Sequence, residues 1–327
     1  MKIFKSKKRI ILSIAVATVL VLIIALALSG KDENIHLTYK SKEGYTQIMR
    51  IYDRFLKLWS VPYEEINIET TWGRTHIIKA GKKNKKPLIV LNGASTNASM
   101  LFYLSKPFFE NYTVYAVDSM GEPGKSKPVK IPLNDKERSD WLNEVFINLK
   151  IKKADIIGFS LGGYTGQRFL QYYPYKVNKL VSCLFPYSER SEMSGSLMIV
   201  MIKMMYYVTV KTKSNTEKFL KLCNGGNIKD KKGYKLLVDH FYNKFKYCKA
   251  VNYNFKPTSF STIKEIKTPV MVLLGQIDPF FDANKAQQYI KRVNNPYVKI
   301  IILKDMGHLP DDKIDILLKK TYDFLKK

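Results

Sequence analysis

Cysteine is scarce in this chain. Of 327 residues only Cys183, Cys223 and Cys248 are cysteines, and they show no metal-ligand spacing. An odd, sparse set argues against a disulfide framework and against a thiolate metal site. Cys183 lies in an apolar run and reads as a buried thiol; a Cys223–Cys248 pair stays open. There are four histidines. Acidic residues are also short: 28 Asp and Glu stand against 55 Lys and Arg, a net charge of +27. That imbalance favours anionic surroundings such as a membrane surface or wall polyanions. No nucleic-acid motif or RNA-binding signature accompanies it, so no nucleic-acid partner is expected. Gly121-Glu122-Pro123-Gly124-Lys125-Ser126 is too short for a phosphate-binding P-loop. With neither a nucleotide fingerprint nor a metal cluster, no cofactor and no metal are expected. No internal repeat or low-complexity block occurs.

What the chain does have begins at its N-terminus. Met1 to Arg9 carries Lys2, Lys5, Lys7, Lys8 and Arg9, and Ile10 to Ser29 carries no charge at all. A helix crosses a bilayer with about 20 apolar residues. Basic residues before such a run stay in the cytoplasm. The expectation is a basic cytoplasmic segment (1–9) and a single-pass transmembrane anchor (10–29), with the rest outside the cell membrane. Secretion after cleavage near Ala25-Leu26-Ala27 is the alternative. Residues 30–62 read as a linker and a surface helix, since Ile48, Ile51, Tyr52, Phe55 and Leu58 recur at helical spacing.

From residue 63 the pattern changes. Strand-like runs at 65–69, 74–80, 87–91, 112–117, 154–157, 177–185, 269–274 and 298–303 come to alternate with amphipathic helical runs. Alternation of this kind predicts an α/β domain over 63–327 with a mostly parallel sheet and helices on both faces. The 46% apolar content suits one large domain. Residues 186–266 break the rhythm and read as a helical cap. The Met-rich stretch Ser194 to Val210 is expected to pack between cap and sheet; an acyl-pocket lining and a membrane-touching surface remain open. His240 reads as a surface or cap residue, and His76 as a strand histidine without chemistry.

One stretch carries chemistry. Ala154 to Ile157 is a short buried strand, Gly158-Phe159-Ser160-Leu161-Gly162 follows, and a helical run starts at once. Strand, sharp turn and helix with serine at the tip form a nucleophile elbow. The helix N-terminus behind the serine favours a developing oxyanion. Asp278 and His308 likewise fall just past the ends of strands, at the edge where open parallel sheets bind ligands. Serine needs a base to take its proton. A histidine has the ordinary pKa for that task, and an aspartate fixes its tautomer. Asp305 is the nearest rival to Asp278. The turn Asn92-Gly93-Ala94-Ser95 after another strand offers a second backbone donor, so Ala94 and Leu161 are the candidate oxyanion N–H groups.

These segments, together with Asp118 to Ser126, Gly275 to Asp278 and Gly307-His308, resemble the α/β-hydrolase family, and within it small bacterial carboxylesterases. The resemblance covers roughly Glu65 to the C-terminus. It implies a Ser160 nucleophile, an Asp278 acid and a His308 base in the family's chain order, with a cap after the sixth family strand. It further implies an acyl-enzyme route on a small-molecule or acyl ester. Family members often carry His-Gly where this chain has Asn92-Gly93. A membrane-surface lipase, another serine hydrolase (peptidase, thioesterase or C–C hydrolase) and a non-catalytic binding protein are the alternatives.

Overall fold

The computed structural model describes residues 35–131, 134–188, 195–224, 231–249, 251, 253, 255–309 and 313–327. The charge-free run at 10–29 lies outside them, as do the basic segment at 1–9 and parts of the cap. Among the described residues no helix is long and apolar enough to cross a membrane.

A 9-stranded sheet organises the chain. Strands β1 (Tyr63–Thr70) and β2 (Gly73–Gly81) form an antiparallel hairpin, and two-residue β5 (Lys127–Pro128) pairs with β2. β3 (Lys86–Leu91), β4 (Tyr112–Val117), β6 (Ala154–Phe159), β7 (Val177–Cys183), β8 (Val270–Gly275) and β9 (Val298–Leu303) run parallel. The spatial order is β1-β2-β4-β3-β6-β7-β8-β9. The central strands are mostly apolar because both faces are covered. On β3, Ile89 and Leu91 face one core and Leu88 and Val90 the other, the period of two that a strand imposes. The first core takes Trp141, Val145 and Phe146 from α4 (Asp135–Asn148), Phe169 from α5 (Leu161–Tyr172) and Ile290 from α10 (Ala283–Val293). The second takes Tyr52 and Leu56 from α2 (Lys42–Leu56), Phe108 from α3 (Lys106–Asn111) and Leu317 from α11 (Ile314–Leu325). Burying each such side chain contributes about 1.5–3 kcal/mol, against about 0–1 kcal/mol for a surface ion pair. The sheet is therefore the rigid part from which loops present the site.

Between β7 and β8 stand α6 (Gly195–Thr209), α7 (Lys213–Asn224), α8 (Lys231–Tyr247) and α9 (Phe260–Lys264). α7 and α8 share an apolar cluster of their own, with Leu220, Leu236, Phe241 and Phe245 against Ile51 and Phe55 of α2, while Ile263 of α9 joins the first core. Two features differ from expectation. Helix α2 is not a surface element: its two apolar stripes wedge it between sheet and cap. α6 does not bury its whole apolar surface. Met204 is buried, while Ile202, Met205 and Tyr206 are 61%, 68% and 57% exposed; a helix without a polar face leaves apolar residues outside wherever it meets a neighbour on one side only. Cys223 and Cys248 do not pair, and all three cysteines are free and buried.

The described chain starts beside the cap. Short helix α1 (Ile35–Thr38) leads to Tyr39, which bridges to Cys248 just past α8. The Lys40 N–H donates to the Tyr247 carbonyl and the Lys249 N–H to the Thr38 carbonyl, both at 2.8 Å.

Candidate active site

Ser160 sits between β6 and α5 with φ 49° and ψ −113°, outside the regions an L-residue ordinarily occupies. The flanking glycines permit it. A β-carbon on Gly158 would strike the Gly162 carbonyl, and one on Gly162 would strike the Leu91 backbone of β3. Strand and helix thus pass at a separation that only glycine allows. The Ser160 N–H donates to the Cys183 carbonyl at 2.8 Å, and α5 closes its first turn with Tyr164 N–H to the Ser160 carbonyl.

His308 Nε2 lies 2.9 Å from Ser160 Oγ, and His308 Nδ1 lies 2.7 Å from Asp278 Oδ2. A carboxylate can only accept, so Nδ1 carries the proton in the neutral ring and Nε2 is free to accept from the serine. Asp278 Oδ1 accepts the Phe280 N–H at 2.8 Å, which fixes the carboxylate plane. The loops after β8 and β9 are stitched together by Gln276 N–H to the Leu303 carbonyl and Ile277 N–H to the Met306 carbonyl. His308 is also held from the cap side: its N–H donates to the Cys223 carbonyl at 2.7 Å. Phe280 meets its ring edge-on at 4.6 Å. Asp305, the sequence's rival acid, is exposed on a tight turn, with its N–H on Gln276. Burial pushes the Cys183 thiol up to about 12. Burial, then the Asp278 charge, push Cys223 higher still. Neither thiol is therefore ionised near neutrality to rival the serine.

The turn after β3 approaches Ser160 closely: a β-carbon on Gly93 would lie 3.4 Å from the Phe159 carbonyl and 3.5 Å from Ser160 Cβ. The Gly93 carbonyl accepts from Asn92 Nδ2 at 2.9 Å, Thr96 Oγ1 at 2.8 Å and Thr96 N–H at 3.3 Å. In a trans peptide the N–H points opposite to the C=O. Three donors on the Gly93 oxygen therefore fix the direction of the Ala94 N–H. The Leu161 N–H, first in α5, has no acceptor within its own helix. Asn92, noticed in the sequence only as a departure from His-Gly, supplies this pin; its Oδ1 also accepts the Ser119 N–H at 3.0 Å.

Two other histidines turn out to be buried. His76 bonds Asp118 Oδ2 at 2.9 Å and Glu65 Oε2 at 2.8 Å, and so braces the loop after β4. His240, read as a surface or cap residue, lies fully inside the cap and bonds the Ser95 carbonyl at 2.8 Å. A helical pattern on a lysine-rich segment gave no sign of that tertiary partner.

The family described as the alpha/beta hydrolase fold matches residues 86–199. The chain is 28% identical over 268 residues to an uncharacterized carboxylesterase, nap, of Bacillus subtilis, covering 79% of this chain and 85% of that one. It is 30% identical over 145 residues to carboxylesterase YbfK of the same organism, covering 44% and 49%. The crystal structure of naproxen esterase (carboxylesterase NP) from Bacillus subtilis superposes with TM-score 0.74 at 22% identity, over 88% of this chain and 99% of that one.

Proposed function

We propose that this chain, an α/β-hydrolase resembling bacterial carboxylesterases, cleaves carboxylic esters through an acyl-enzyme on Ser160. The observation that carries the reading is the unbroken relay from Ser160 Oγ through the His308 ring to Asp278, at 2.9 and 2.7 Å. As Oγ attacks the ester carbonyl, His308 Nε2 takes its proton, and Asp278 stabilises the imidazolium. The Ala94 and Leu161 N–H groups receive the oxyanion. His308 then protonates the departing alkoxide oxygen, leaving an ester on Ser160. Water, deprotonated by the same nitrogen, releases the acid and restores the serine. The test is a p-nitrophenyl ester series from acetate to long acyl chains. Turnover by the wild type that falls at least a thousandfold in a folded Ser160→Ala variant is expected. Ester hydrolysis that survives this substitution overturns the assignment.

A second reading, a lipase working at a membrane surface, is favoured by the exposed Ile202, Met205 and Tyr206 on α6. Exposed Lys203, Lys211, Lys218 and Lys221 accompany them. We place the run at 10–29 in the cell membrane with the domain outside it. The first described residues are strapped to the cap, so such an anchor would hold the cap side toward the bilayer. Chain-length preference in the same ester series separates the readings: a lipase favours long acyl chains, an esterase short ones.

A further inference from the structure

Ser95 is held in an unusual way. It is not glycine, yet its φ is 65°, a left-handed conformation that an L-residue keeps only where its surroundings enforce it. The enforcement comes from two sides. Its N–H donates to Glu122 Oε2 at 2.5 Å, and its carbonyl accepts from His240 Nε2 at 2.8 Å. Neither partner is a neighbour in sequence: Glu122 stands on the loop after β4 and His240 on α8 of the cap. The other Glu122 oxygen accepts the Tyr253 hydroxyl, from the segment that follows α8.

Both side chains are buried, Glu122 at 3% exposure and His240 at 0%. His240 lies edge-on to Phe55 and Phe241, a setting where an apolar residue would pack without desolvating a ring nitrogen. Its bond to Ser95 is the polar contact that offsets that cost. Because the partner is a carbonyl, Nε2 must carry the proton. Nδ1 is then the bare nitrogen, and among the described residues it has no hydrogen-bond partner. Burial holds the ring down to about 4 and so uncharged. Burial raises the Glu122 carboxyl, against the opposing hydrogen bonds from Tyr253 and Ser95.

We propose that Glu122 and His240 are positioning residues for the oxyanion donor, and that they make its placement depend on a seated cap. The peptide units on both sides of Ser95 are fixed by these two groups, as the Gly93–Ala94 unit is fixed by Asn92 and Thr96. With α8 displaced, the Ser95 carbonyl loses its donor and the left-handed conformation loses that support; Thr96, which follows it and supplies two of the three donors on the Gly93 oxygen, loses its fixed place, and the aim of the Ala94 N–H loosens with it. Displacement of α8 alone, with α7 still holding His308 through the Cys223 carbonyl, therefore leaves Ser160 and His308 in place with an incomplete oxyanion site. The proposal rests on Ser160 being the nucleophile.

The experiment uses the full chain carrying His240→Phe, His240→Gln or Tyr253→Phe, with folding checked by circular dichroism. Two rates are read: kcat on a p-nitrophenyl ester, and labelling of Ser160 by a fluorophosphonate, whose tetrahedral adduct also places an oxygen in the donor site. Direct loss of an oxyanion donor lowers kcat by about 10²–10³, and a misplaced one should cost less. His240→Phe is expected to lower kcat about 10- to 100-fold with KM changed less than about twofold, and to slow labelling alike. His240→Gln, whose amide can donate, should recover most of the loss, and Tyr253→Phe should give a smaller loss of the same kind. Unchanged kcat and labelling in folded His240→Phe overturn the proposal, as does a loss confined to KM. If His240→Phe does not fold, the same two readouts on Tyr253→Phe decide. Wild-type chain that turns over no ester yet labels at Ser160 would sink the ester reading alone, and the labelling rates would still test the clamp.

Discussion

Asn92 shows how much a single residue can do through the backbone alone. The resemblance leads one to expect histidine before Gly93, and the proposed oxyanion donor is an N–H two residues on. The carboxamide at 92 pins the Gly93 carbonyl and anchors Ser119, a double task open to a side chain with both a donor and an acceptor. Asp278 carries a comparable dependence. Asp278→Asn replaces the acceptor facing His308 Nδ1 with a group that can flip and donate, so the imidazole can adopt the tautomer that cannot deprotonate Ser160. A fall in kcat of about 10³–10⁴ with nearly constant KM is expected. Asp305→Asn, at the exposed rival, should leave ester turnover unchanged. Equal losses in the two variants, measured by steady-state kinetics, would transfer the acid's role away from Asp278. Both residues lie just past strands, and the sequence alone favoured 278 because Asp305 sits on the loop of His308 itself; the ring orientation that chooses between them belongs to three-dimensional packing.

At the scale of elements, the parallel strands and the elbow were legible because their apolar runs end in Gly, Asn or Asp turns. The cap was legible as an interruption and in two of its helices, read at 194–210 and 232–245 and found at Gly195–Thr209 and Lys231–Tyr247. Helix α7, KSNTEKFLKLCN, goes unread because lysines and short polar residues obscure its apolar positions; Leu220 and Cys223 are buried only through contact with other parts of the chain. His240 on α8 escaped for the same reason. It also leaves a thermodynamic mark. Its folded pKa of about 4 lies below the ordinary 6.5. As pH falls, the unfolded chain binds this proton first, so His240 contributes stability above about 6.5 that is lost toward 4. The loss is at most about 3 kcal/mol. Glu122 acts in the opposite sense, because a raised carboxyl costs stability as pH climbs above its ordinary range. Urea unfolding of wild type and His240→Gln between pH 4 and 8 should show the variant losing less stability toward the acid end. Parallel curves would mean that the ring binds its proton as readily in the folded cap as in the unfolded chain.

For the whole molecule, charge and apolar exposure meet on the cap. The net charge of +27 draws the chain to anionic surfaces over about a Debye length, near 8 Å at physiological salt. Insertion of Ile202, Met205 and Tyr206 would then add contact that salt does not screen. A version starting at residue 31 should therefore sediment with anionic vesicles at low salt and largely release at high salt. Ile202→Ser with Met205→Ser should release more easily still. Failure to sediment at low salt would remove the membrane-surface reading.

The strap at Tyr39 and Cys248 has a mechanical consequence. It is fastened to the end of α8, the helix that also carries His240. A pull on the chain at Tyr39 therefore reaches α8 as well as the loop after β4, where the Tyr39 hydroxyl donates to the Gly124 carbonyl at 2.9 Å. The strap and the latch on Ser95 then share one helix, which gives the proposed control of the oxyanion turn a handle at Tyr39.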